Sequence, residues 1–225
     1  MFNSKERNIF ITLSYEDNKY SRVNMMSLMK LTLLFFLLFL TIACNNEISK
    51  KAKTYELDYP DNLKIIERSE WGWIPIDTVT RSHEIKYITV HHGGVEFTAE
   101  KNPLESVREL QTWSRKEKNW VDIPYHFMID LEGNIYETRP INIPGDTNTE
   151  YDPTSHALIE VMGNYEIQIP NENQISSLVA LSNFLMNHFN VQVNNVKTHR
   201  DYSNNTVCPG KNLYEFFANG YIEKA

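Results

Sequence analysis

Apolar positions along the chain fall into three kinds of pattern. The first is an unbroken run from Leu31 to Ala43, LTLLFFLLFLTIA, preceded by Lys30 and followed by Cys44 and the polar stretch NNE. It is shorter than the ~20 apolar residues of an ordinary spanning helix and fits the core of a secretory signal; a retained membrane anchor is the alternative, and both export the remainder of the chain. The second pattern has helical spacing. Leu104, Val107, Leu110 and Trp113 follow Pro103, and Ile175, Leu178, Val179, Ser182, Leu185, Met186 and Phe189 follow an Asn171/Gln174 capping pair. These predict a core-facing helix opening at Pro103 and a longer one over Asn171 to Phe189. The third pattern is short and β-rich: Lys86 to Val90, two runs around a turn at Glu132-Gly133, HALIEVMGNYE from His156, and Asn194 to Thr198. Each reads as a strand. Leu213 to Phe217 reads as a short closing helix.

Composition narrows the class. With 225 residues, 41% hydrophobic and 23% charged, the chain has an ordinary globular balance once the N-terminal run is set aside. A net charge of −7 without any Lys/Arg block excludes a nucleic-acid binder of the usual basic kind, while leaving a glycan or peptide partner open. Met1 to Tyr20 is polar and mixed in charge, an unusual preface to a signal, and Met25, Met26 or Met29 would each give a conventional short basic start. Asn45 to Pro60 is polar and aperiodic and reads as a tether. The expected organisation is therefore an N-terminal extension and signal over 1–44, a tether over 45–60 and one domain over 61–225.

Candidate chemistry centres on THRDYSNNTVCPG, residues 198–210. His199 and Cys208 flank a short polar loop, and His91 stands where the Lys86 to Val90 strand ends. Two imidazoles and a thiolate are good zinc ligands, and three protein ligands leave the fourth position open, as in catalytic rather than structural sites. Pairing Cys208 with Cys44, the remaining cysteine, would leave both more specific roles unused. By strand alternation His92 and His126 point away from their neighbouring motif positions. Spacing reveals no partner for His83, His156 or His188, and Trp71 and Trp73 read as packing residues.

VHH after a strand, IPYHFMIDLEGNIYETRP, ALIEVMGNYE and HRD…CPG, in that order from Glu67 onward, resemble the type 2 N-acetylmuramoyl-L-alanine amidases, the superfamily that includes the peptidoglycan recognition proteins. Arg68 and Trp71-Gly72 resemble the RxxWG signature of the recognition branch. The resemblance implies an α/β single domain with a central mixed β-sheet flanked by helices. It implies zinc on His91, His199 and Cys208, and hydrolysis of the amide between N-acetylmuramic acid and L-alanine in peptidoglycan or muropeptides, in cell-wall turnover or recycling. It carries three further residues into the site. Tyr125 would lie beside the metal and orient water or donate to the oxyanion, Glu160 would be the acid/base, and Thr206 would stand where the family has lysine or threonine. His199 and Cys208 are one residue further apart than in the family's usual HRDxSPxxCPG, and His156 and Leu158 replace the common serine and glycine. TIAC at 41–44 resembles a bacterial lipoprotein processing site, with Thr41 departing from the usual leucine. It implies a lipid on Cys44 and a membrane-anchored protein, on the periplasmic side or at the outer membrane. A monomer is expected. The alternatives are a peptidoglycan-binding module without hydrolysis, and a zinc peptidase acting on the stem peptide. Binders without activity generally lack the metal-binding cysteine.

Overall fold

The computed structural model describes residues 55–77 and 81–224. Cys44 and the apolar run before it lie outside the described residues. Six strands form one mixed sheet in the order β1-β4-β3-β5-β2-β6: β1 (Ile65–Ile66), β2 (Tyr87–His92), β3 (Phe127–Ile129), β4 (Ile135–Glu137), β5 (His156–Val161) and β6 (Val196–Thr198). Only the β3–β4 pair, the hairpin predicted around Glu132-Gly133, is antiparallel. β2 pairs in parallel with β5 and β6 and carries no polar face toward water: Ile88 to His92 are all buried. Such double burial is the usual fate of a parallel strand covered by layers on both sides.

Alternation divides the sheet chemically. Ile88 and Val90 of β2, Phe127 and Ile129 of β3, and Ala157, Ile159 and Val161 of β5 share one apolar cluster with Ile175, Leu178, Leu181 and Leu185 of the helix Glu172–Phe189. That helix, α3 here, follows α1 (Arg68–Trp71) and α2 (Pro103–Lys116) and precedes α4 (Lys211–Ala218) and α5 (Tyr221–Lys224). Asn171 caps α3 as the sequence indicates: its side chain accepts from Gln174 N at 3.0 Å, and Gln174 Oε1 accepts from Asn171 N at 3.2 Å. The in-between residues of the same strands, Thr89, His91, His156 and Glu160, turn to the opposite side. There Trp71, Val107, Ile123, Met128, Tyr136 and Met162 build a smaller cluster under α1 and α2. The sheet thus gives one face to stability and leaves part of the other for chemistry.

Three expectations change. The strand read as Lys86 to Val90 runs on through His91 and His92, because both imidazoles are buried rather than turned to solvent. Trp113 is 43% exposed, since α2 turns Val107, Gln111 and Ser114 inward instead; Gln111 Nε2 donates to the buried Asp122 at 2.8 Å. The expected tether does not extend to Pro60. Leu57 is buried in the main core and Tyr59 Oη donates to Glu137 at 2.8 Å, so the folded body reaches back at least to residue 55.

Two histidines left without a role pin the loop after β4 to the sheet. His126 Nε2 donates to Ile143 O at 2.9 Å and its Nδ1 accepts from Leu158 N at 2.9 Å. His83 makes the same pair of bonds, Nε2 to Ile141 O and Nδ1 from Ser155 N. Each ring is fixed as a neutral tautomer, and burial lowers both imidazoles, His126 well below the usual 6.5. An unfolded chain therefore binds more protons than the folded one just below that pH, and stability must fall as pH drops through it. Between pH 7 and pH 5 the urea midpoint of the metal-free protein is expected to lose more than that of metal-free His126→Gln, because the variant lacks one of these rings. Equal changes in the two proteins contradict this.

Candidate metal centre

His91 projects from the penultimate position of β2. His199 opens a short 3-10 turn, His199–Asp201, where β6 ends, and Asp201 Oδ2 holds that turn by accepting from Thr198 N and Oγ1 at 2.8 and 2.7 Å. Cys208 returns beside it because Arg200 N donates to Cys208 O at 3.0 Å, closing the loop at its neck.

Ligand atoms of His91, His199 and Cys208 all lie within 4.8 Å of one another, so this cluster could hold a metal ion. Cys208 Sγ is 3.6 Å from His91 Nδ1, and the two imidazole centroids are 4.7 Å apart. Their electrostatics fit a cation. Burial holds His91 well below the ordinary histidine range and His199 at about 4, so both keep lone pairs at neutral pH. Burial also pushes the Cys208 thiol up to about 12, against the pull of the His92 amide, which donates to Sγ at 3.4 Å. A thiol protonated for want of a counter-charge, beside two neutral imidazoles, is a donor set that a divalent ion would complete by displacing one proton.

The remaining predicted residues surround the same cleft of about 460 Å³. Glu160, only 3% exposed, is the register partner of His91 on β5, and its buried Oε2 has no hydrogen-bond partner. Burial alone pushes it up to about 8. Tyr125 lies two residues before β3, with its ring 5.2 Å from that of His91. Burial, then the charges of Glu160 and Cys208, raise its phenol well above the usual range, so it stays protonated. Thr206 Oγ1 accepts from Cys208 N at 3.1 Å, which leaves its own O–H to donate. His92, set aside by alternation, gives its Nδ1 to Tyr165 N, from which it accepts at 3.2 Å, and still borders the cleft.

Gly93 matters through proximity. A Cβ there would stand 2.5 Å from Glu160 Oε1. The side chain is the movable partner, so Gly93→Ala is expected to fold normally with the Glu160 carboxyl displaced. A crystal structure of the variant with that carboxyl in place would contradict this.

Sequence reasoning missed two contacts. Thr149 Oγ1 bonds His199 Nε2 at 2.7 Å, and Tyr151 Oη lies 3.4 Å from His91 Nε2. Both belong to the stretch PGDTNTEYDPTS, whose composition indicates only a loop.

Residues 81–211, which include the whole cleft motif set, match the model of a family described as N-acetylmuramoyl-L-alanine amidase. Peptidoglycan recognition protein 1 of Mus musculus is 31% identical over 160 residues, covering 67% of this chain and 84% of its own length. The solved N-acetylmuramoyl-L-alanine amidase LysC from Clostridium intestinale aligns with a TM-score of 0.57 at 27% identity, over 69% of this chain and 96% of that one. Human PGRP-IBETAC, solved in complex with glycosamyl muramyl pentapeptide, aligns with a TM-score of 0.61 at 24% identity, over 69% and 94% of the two chains.

Proposed function

We propose, for a chain that belongs to the N-acetylmuramoyl-L-alanine amidase family, that it hydrolyses the amide joining N-acetylmuramic acid to L-alanine in peptidoglycan or muropeptides. The observation that carries this reading is the convergence of His91, His199 and Cys208 from separate parts of the fold into one cleft beside a buried carboxyl. Those three residues would hold zinc, which when bound supplies a Lewis acid able to polarise a carbonyl and acidify water.

The chain's own groups account for the rest. Water adds to the lactyl carbonyl carbon, the C–N bond breaks, and the amine of L-alanine leaves carrying a proton. Glu160, desolvated and poised to about 8, has the proton affinity to take that proton from water and pass it to the nitrogen. Tyr125, held as a neutral phenol, donates to the oxyanion that forms on the carbonyl. Thr206 adds a second donor, weaker than a cation because it brings no charge.

Mass spectrometry of muropeptides incubated with the zinc-loaded protein tests the reaction, with free stem peptides beginning at L-alanine as the expected product. Recognition without cleavage is the reading that the recognition-protein relatives favour; muropeptides bound yet returned intact would select it. The same proposal places a lipid on Cys44 and the domain on the outer side of a membrane, as a monomer. Labelled palmitate should enter the wild-type chain and not Cys44→Ser; equal labelling of the two rules the lipid on Cys44 out.

A further inference from the structure

The loop between β4 and β5 touches the imidazoles of both His91 and His199. Thr149 Oγ1 bonds His199 Nε2 at 2.7 Å and is itself bonded to Thr147 Oγ1 at 2.9 Å, so its hydroxyl is held from two sides. Tyr151 reaches His91 Nε2 at 3.4 Å while its ring lies 5.0 Å from that of His199. The Tyr151 ring is backed in turn by Tyr202, stacked at 5.8 Å with an interplanar angle of 19°, and by His156, which Thr89 Oγ1 fixes at 2.7 Å. These side chains back both imidazoles from the loop side.

From this we infer that Thr149 and Tyr151 are positioning residues for the metal: they fix the Nε2–H tautomer and the ring orientation of His199 and His91, leaving the Nδ1 lone pairs for the ion. On His91 that nitrogen already faces Cys208 Sγ at 3.6 Å. A neutral imidazole has one protonated nitrogen; with an ion on Nδ1 that proton sits on Nε2, where the hydroxyl oxygen is placed to accept it. Partners of this kind raise ligand basicity and remove the cost of orienting the ring, and losing one costs ~10–100-fold in metal affinity. The inference rests on the zinc reading above, and it assigns to an irregular loop the task of tuning that zinc.

Zinc affinity of the full chain, measured by competition with a chromophoric chelator, tests it, together with the visible ligand-field spectrum of the cobalt(II) form and the melting temperature of the metal-free form. Thr149→Val should weaken zinc ~10–100-fold and shift the cobalt bands, with an unchanged metal-free melting temperature, and Thr149→Ser should restore affinity and spectrum. Tyr151→Phe, which keeps the ring and loses the hydroxyl, should weaken zinc and move the cobalt bands as well. Wild-type affinity and spectra in both Thr149→Val and Tyr151→Phe would overturn the inference and leave the zinc reading standing. So would a loss in Thr149→Val that follows a lowered melting temperature and that serine does not repair. If the wild-type chain itself binds no zinc that Cys208→Ala abolishes, the zinc reading fails and the inference with it.

Discussion

Cys208→Ala is expected to abolish zinc binding and muropeptide hydrolysis together while leaving the fold intact. The thiol sits on a loop whose neck is closed by the backbone bond from Arg200 N to Cys208 O, and an alanine keeps that bond. What disappears is the sulfur 3.6 Å from His91 Nδ1 and the only cluster member able to bring negative charge. Affinity should therefore fall well beyond the ~10–100-fold lost when a hydrogen-bonding partner of a ligand is removed. His199→Ala should behave alike, since it removes one of the three proposed ligands together with the bond to Thr149 Oγ1. Metal content by atomic absorption and product formation by mass spectrometry check both variants. Full zinc content and activity in Cys208→Ala would remove the ligand assignment.

Glu160→Gln should give the second large effect, with a different signature: zinc retained, turnover reduced ~10²–10⁴-fold, as expected on losing a general acid/base. The amide is nearly isosteric and cannot move a proton. Stability separates this outcome from a folding defect. Glu160 is pushed up to about 8 by burial, above the ordinary carboxylate range, so the unfolded chain loses its proton first as pH rises. The carboxyl therefore costs stability increasingly from about pH 4.5 up toward 8. A neutral amide escapes that cost, and metal-free Glu160→Gln should melt higher than wild type at pH 7.5. Lower activity with higher stability is the pattern of a group kept for chemistry at the expense of folding. Full turnover in the variant would dismiss Glu160 as the proton carrier.

The parts of this molecule legible in the sequence are those governed by local periodicity. α3 was readable because its apolar stripe, from Ile175 to Phe189, and its Asn171/Gln174 cap are both local signals, and both are found. β2 was readable from its β-branched apolar residues, while its end was not: histidine looks like a strand terminator until a tertiary partner, such as Tyr165 N for His92, makes its burial tolerable. α2 shows the converse. Hydropathy points to Trp113 as a core residue, but the inward position goes to Gln111, whose carboxamide satisfies Asp122 and the backbone of Ile74. The site was legible as a set of residue types at motif spacings, and the structure brings all six into one cleft. Thr149 and Tyr151 carry no such mark, because a threonine in a turn-rich loop has the same appearance whether it faces water or an imidazole. Glu160 was legible only through its place in the family motif, and the parallel register of β5 with β2 sets it beside His91.

Two imidazoles and one thiolate are proposed to meet around a single zinc ion, and crystals of the zinc-loaded protein measured on both sides of the zinc absorption edge would locate it. One anomalous peak is expected, present above the edge and absent below it, at bonding distance from His91, His199 and Cys208, ~2.0–2.1 Å for nitrogen and ~2.3 Å for sulfur. A zinc peak located elsewhere, or no peak with the Cys208 thiol turned from the imidazoles, would contradict it.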